Sequence, residues 1–112
     1  MSAFLFDLKS TTGQVMYEII CRSIANRKRL QFKYESDTKI VEPHTLGMDK
    51  EEHEVLLAYQ IAGGSQNGEL PGWELFELDK IQDITIIAET FSTVRPGFRR
   101  GDSRMIEIYC EL

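Results

Sequence analysis

The spacing of apolar residues changes period once along this chain, and the change divides it into a helix and a series of strands. Met16, Ile20 and Ile24 fall four residues apart with Ile19 beside them, which predicts one apolar stripe on a helix from about Gly13 to Arg27 or Lys28. Thr11-Thr12-Gly13-Gln14 has the T-x-x-Q form of a capping box, with Thr11 as N-cap and Gln14 reaching back. From residue 30 the period is two. Leu30, Phe32 and Tyr34 alternate with Gln31 and Lys33, as in a strand with one buried face. Further strands are predicted over Lys39–Met48, Glu54–Ile61, residues 72–81 (GWELFELDKI), Ile84–Ala88 and Met105–Leu112. Turns at Glu35-Ser36-Asp37, Asp49–Glu52 and Gln82-Asp83, and a Gly- and Ser-containing loop at Ala62–Gly72, separate them. Pro43 inside the second strand predicts an edge position or a bulge there.

Residues 3–8 alternate weakly, so residues 1–12 read as an edge strand or docking tail ahead of a single domain at 13–112. Short strands, frequent turns and one helix predict an α+β fold that is mainly β. The N-terminal helix would pack on a small barrel or strongly bent sheet of five or six strands.

Composition agrees with one globular domain: 112 residues, 42% apolar and 28% charged. The net charge of −5 disfavours indiscriminate binding to polyanions, but charge is unevenly placed. Residues 22–34 hold only basic charges, residues 35–90 are strongly acidic, and a second basic block runs from Arg95 to Arg104. Arg27, Lys28 and Arg29 are placed to favour the dipole at the end of the predicted helix. Cys21 and Cys110 have no metal-type spacing. Two reduced core thiols are the expectation in a cytosolic protein, with one disulfide between them the alternative. SAFLFDL is too short for a signal-peptide core and lacks a basic leader, and no run approaches the roughly 20 apolar residues of a membrane span. The predicted location is the cytoplasm, with no membrane partner.

Candidate chemistry is sparse. His44 and His53 sit near no cysteine and form no H-x-x-x-H pair, so neither a structural zinc nor any cofactor is expected. Glu42 and His44 lie two apart, on one face of a regular strand, but nothing nearby supplies a nucleophile or a third orienting group. A partly buried, hydrogen-bonded His44 lining a cleft is the preferred reading, and the chain is not expected to be an enzyme. Gly63-Gly64-Ser65-Gln66-Asn67-Gly68 lacks the Gly-Lys-Ser/Thr ending of a phosphate loop and leads into a strand. Along GWELFELDKI, alternation sets Glu77 and Asp79 with Trp73 and Leu75, and Glu74 with Phe76, Leu78 and Lys80; carboxylates so divided do not make a hydrolytic pair. The segment FSTVRPGFRRGDSR has the composition that binds phosphates and stacks bases: Arg95, Arg99, Arg100 and Arg104 around Phe98. A tail neutralising the acidic middle of the domain is its bland counterpart.

The order LQFKY, KIVEPHTLG, EVLLAYQ, GWELFELDKI and F-x-x-x-R-P-G-F resembles the WYL domain, most of all short stand-alone bacterial members, over roughly Gln14–Leu112. The Trp-Tyr-Leu naming that family falls on Val55-Leu56-Leu57, so only Leu57 is kept. The resemblance implies an Sm/SH3-like β-barrel acting as a regulatory or ligand-sensing module for a nucleotide or single-stranded nucleic acid. It implies a surface pocket drawing on Lys39, His44, Tyr59, Trp73 and Lys80, with Arg95, Arg99 and Arg100 as a phosphate-facing rim. Positions that are usually basic in the family carry Lys39, Glu74, Glu77 and Lys80 here, so two are reversed in sign. Without a helix-turn-helix segment, duplex reading in the manner of the larger regulators is not expected. The alternative is a homo-oligomerisation or protein-interaction module using residues Ala3–Leu8 and Met105–Leu112. Convergence of the two basic blocks around Trp73 would favour an anionic ligand.

Overall fold

The computed structural model describes residues 12–64 and 70–112; the expected N-terminal tail and capping contact lie outside the described residues. One helix, α1 (Thr12–Ala25), precedes six strands. These are β1 (Lys28–Tyr34), β2 (Asp37–Asp49), β3 (Glu54–Ala62), β4 (Gly72–Glu77), β5 (Ile81–Thr90) and β6 (Met105–Glu111). All pairings are antiparallel, in the order β4-β3-β2-β1-β5, with β6 on β2. β4 and β5 stand at opposite ends of that order, so the expected barrel is an open sheet. The chain passes between them through a single 3-10 turn, Leu78–Lys80, rather than a hairpin.

α1 stops earlier than its apolar stripe suggested. Arg27 adopts a left-handed conformation (φ 52°), and its N–H bonds back to the Ile24 carbonyl, which ends the helix. Lys28 and Arg29 therefore start β1 instead of flanking the helix dipole. The face of α1 bearing Ile20 and Ile24 packs on Leu30, Phe32, Tyr34, Val41, Leu46, Leu56, Ala58 and Phe76 as one core. β1 alternates as expected, with Leu30, Phe32 and Tyr34 buried and Gln31 and Lys33 exposed.

β2 is the central strand, and its irregularity decides what faces where. Val41 and Leu46 both point into the core although they lie five positions apart, which a regular strand forbids. The register against β3 slips between Pro43 and Thr45, inserting His44 as a bulge that resets the parity. Of the two predicted alternatives for Pro43, the bulge is the one realised. On its other edge β2 pairs with β1 only as far as Val41 and with β6 only from Thr45. Pro43 lies in the gap, where no strand asks for an N–H.

Two further boundaries differ from expectation. Gln82-Asp83 is not a turn but a bulge inside β5, with Asp83 at φ 55° and the register shifted against Gln31–Lys33. The 3-10 turn breaks the alternation of GWELFELDKI after Glu77, so Asp79 does not continue the Trp73 face, while Leu78 and Ile81 still reach the core. Cys21 and Cys110 are joined in a disulfide, the alternative to the expected free thiols. α1 packs against β6 and brings their Cα atoms to 5.8 Å, within bridging range. No helix among the described residues is long and apolar enough to cross a membrane.

Candidate functional site

The face of the sheet opposite α1 is covered by the segment that follows β5. Glu42, Tyr59 and Trp73 are cross-strand neighbours on β2, β3 and β4, and the bulge turns His44 to the same side. Val55, Leu57 and Phe91 are buried outside the main core cluster. Over this face runs a strap, residues 95–98, with sequence Arg-Pro-Gly-Phe.

Six contacts seat the strap. The Arg95 guanidinium donates to both Glu42 carboxylate oxygens, at 2.5 and 2.9 Å, and lies over the Tyr59 ring at 4.8 Å. The Arg95 backbone N–H donates to His44 Nε2 at 3.2 Å. Trp73 Nε1–H donates to the Pro96 carbonyl at 2.8 Å. The Phe98 ring lies nearly parallel to the Trp73 indole, 6.3 Å between centroids, and 5.0 Å from His44. Gly97 is required at this point: its φ is +93°, and a Cβ there would stand 3.2 Å from Trp73 Nε1.

Glu42 is the electrostatic centre of the face. Its side chain is fully buried and accepts from Arg29 of β1 at 2.9–3.0 Å as well as from Arg95. Burial alone would push its carboxyl pKa up; hydrogen bonds from Arg95 and Arg29 outweigh that and hold it below the ordinary range. The two basic blocks do converge, but on a buried carboxylate that takes up their charge. His44 is also fully buried, and its Nδ1 meets the main-chain carbonyl of Glu42, not the carboxylate, at 2.8 Å. The two groups are not arranged as an acid/base pair. Burial lowers the imidazole pKa, against the opposing pull of that hydrogen bond and the Glu42 charge.

Beside the seated strap lies a groove of about 440 Å³, walled by Leu57 and Trp73 on one side and by Gly97, Arg99, Arg100 and Arg104 on the other. Its cations are not equivalent. Arg104 is held by Asp102 at 2.6 Å, and Arg100 is largely exposed and 3.3 Å from Glu111. Arg99 forms no ion pair among the described residues.

Chain, family models, curated proteins and solved structures were compared, and no match emerged. The WYL resemblance therefore rests on its motifs and their order.

The eight residues expected to share one pocket fall into two places. His44, Tyr59, Trp73, Arg95, Arg99 and Arg100 belong to the strap face and its groove. Lys39 and Lys80 line a separate cleft of about 140 Å³ with Tyr34, Gln60 and Glu74, because Lys39, Gln60 and Glu74 have the opposite strand parity. Lys39 is buried and donates to the Gly64 carbonyl, and Lys80 pairs with Glu77 at 2.8 Å. Arg29 and the Glu42 carboxylate acquire site roles that strand periodicity did not announce. The available signal was a lone carboxylate in the apolar run KIVEPH, in a chain with two basic blocks.

Proposed function

We propose that this chain is a non-enzymatic regulatory module of the WYL type from a bacterial cell, a variant of the Sm/SH3-like architecture. It binds a nucleotide or a short stretch of single-stranded nucleic acid. The observation that carries the reading is the groove beside Trp73. There Trp73 lines the same groove as Arg99 and Arg100, and neither arginine pairs with the buried Glu42 that absorbs Arg95. Groove volumes of about 300–1,000 Å³ suit ligands of nucleotide size. Guanidinium groups suit phosphate, and aromatic walls suit bases. Arg95 and His44 act here as supports of the strap, not as ligand contacts. Lys39 and Lys80, in the other cleft, stand outside the proposed ligand path.

The test is titration at low salt with adenosine 5′-monophosphate and a six-nucleotide oligothymidylate. Arg99→Ala and Arg100→Ala should each weaken binding several-fold, and added salt should weaken it in the wild type. Absence of binding, or binding indifferent to both substitutions, overturns the proposal.

A second reading is favoured by the sheet order, in which β4 and β5 each end the ladder with one strand edge that pairs with no other strand among the described residues. A homo-oligomer or regulatory partner would add there or along β6. A concentration-independent monomer in light scattering removes the homo-oligomer. The proposed cytoplasmic setting is open to a direct test as well. Thiols there are normally kept reduced, so trapping with an alkylating agent at lysis should find Cys21 and Cys110 free; a protected pair places the protein in an oxidising compartment.

A further inference from the structure

Part of one side of the groove is formed by the seated strap. Gly97, Arg99 and Arg100 belong to the strap and its continuation, whereas Leu57 and Trp73 belong to the sheet. Whatever moves the strap changes the groove's shape.

The hydrogen bonds of His44 specify its protonation state. Nδ1 lies 2.8 Å from the Glu42 carbonyl, which can only accept, so Nδ1 carries the proton. Nε2 receives the Arg95 N–H, so it must be bare. The ring is therefore neutral, with one tautomer fixed by two backbone groups. It is fully buried, with the Trp73, Phe91 and Phe98 rings 4.7, 5.5 and 5.0 Å away. A second proton on Nε2 would set donor against donor at Arg95 and put a cation among aromatic rings out of reach of water.

The surrounding charges do not rescue that cation. Glu42 on β2 faces it but already accepts from Arg29 of β1 and Arg95 of the strap. Arg27, after α1, adds a further positive charge, and Arg27 is itself tied to the Ser92 carbonyl ahead of the strap. β6 and its continuation contribute the Leu112 N–H to the His44 carbonyl, a contact indifferent to the ring.

We propose that His44 is an acid-sensitive latch: the strap seats and the groove forms while the ring is neutral, and protonation releases the Pro96–Phe98 section and takes the groove apart. As control of ligand binding, the latch rests on the groove's being the ligand site; as control of the strap, it does not. The Arg95–Glu42 pair keeps its charges over the same pH interval and tethers the base of the strap, so release is local. Linkage sets the size of the effect. Each pH unit by which strap seating lowers the His44 midpoint is a tenfold weakening of seating on protonation.

Trp73 is the sole tryptophan of the chain, so its emission reports on the strap without any ligand. The experiment follows the His44 ring by NMR and the Trp73 emission maximum and acrylamide access from pH 8 to pH 4. Intensity is set aside because imidazolium itself quenches indole, and far-UV circular dichroism monitors the fold. The expected result is a red shift with increased acrylamide access, at the same midpoint as His44 and with the fold intact. Gly97→Val, which forces a side chain against Trp73, should show the exposed emission at every pH and a His44 midpoint at least one unit higher. His44→Gln, which cannot titrate, should show no step. Trp73 emission that ignores the His44 midpoint, a midpoint unchanged in Gly97→Val, or a ring that does not titrate in either protein overturns the latch; the last two need only wild type and Gly97→Val. With adenosine 5′-monophosphate present, binding lost through the same midpoint supports control of the groove. An emission step with no binding at pH 8 supports the latch and overturns the groove as a nucleotide site.

Discussion

The two faces of one sheet are built by different physics. Against α1, Leu30, Phe32, Val41, Leu46 and Leu56 are buried by apolar contact alone, and almost any side chain of similar shape would serve. Against the strap, Glu42 and His44 are just as fully buried, yet each is held by specific partners: two guanidiniums for one, two backbone groups for the other. The first face gains stability from area. The second gains a unique arrangement and carries charge that is costly to leave unmatched. A face that needs particular partners can be opened by changing one of them, which is why the proposed site and its control lie on that side.

The contrast can be broken by substitution. Phe32→Ala removes a ring that meets Tyr34 and Phe76 edge-on in the helix-side core, and should cost about 3–5 kcal/mol in chemical denaturation while leaving native Trp73 emission unchanged. Glu42→Gln leaves Arg29 and Arg95 facing a neutral group. It should cost about 3 kcal/mol and also shift Trp73 emission, because the strap loses its anchor. If Glu42→Gln were neutral, the ion-pair account of the second face would fail. Reduction of Cys21–Cys110, which ties α1 to β6, should cost about 2–4 kcal/mol, again without moving Trp73 emission.

Smaller effects sharpen the same contrast. His44 and Glu42 both have lowered pKa values in the fold, so the sign is the same for both. The unfolded chain takes up protons first, and stability falls as pH drops below the ordinary histidine range and again through the ordinary carboxylate range. Denaturation midpoints measured from pH 8 to pH 4 should decline in that order, and His44→Gln should abolish the first decline. The smallest change is at Thr45, beside the bulge, whose hydroxyl is the one buried side-chain polar atom without a hydrogen-bond partner among the described residues. Thr45→Val should be neutral or stabilising by up to about 1 kcal/mol, since nothing is lost with the hydroxyl.

The helix-side face was largely legible in the residues themselves. The Met16–Ile24 stripe and the Leu30–Tyr34 alternation are local signals, and both led to the right element and the right inward side. The strap face was not, because its determinants act at a distance: Glu42 meets partners 13 and 53 residues away, and no periodicity encodes such pairings. Pro43 flagged the bulge, but its consequence, the parity reset that carries Leu46 inward, appears only when the strand is paired. Asp83 misled for the opposite reason. Its left-handed backbone resembles a turn in composition, yet neighbouring ladders absorb it as a bulge. Of the candidate residues, Trp73, Arg99 and Arg100 line one groove, whereas Lys39 and Lys80 are separated from them by the alternation of β2 and β4.

The groove beside Trp73, and not the lysine cleft, is the proposed ligand site. Amide and indole chemical shifts recorded while oligothymidylate is added at low salt test it most directly. Changes should concentrate at Trp73, Gly97, Arg99 and Arg100, with Lys39, Glu74 and Lys80 unmoved. Changes centred on Lys39 and Lys80, or none anywhere, would contradict it.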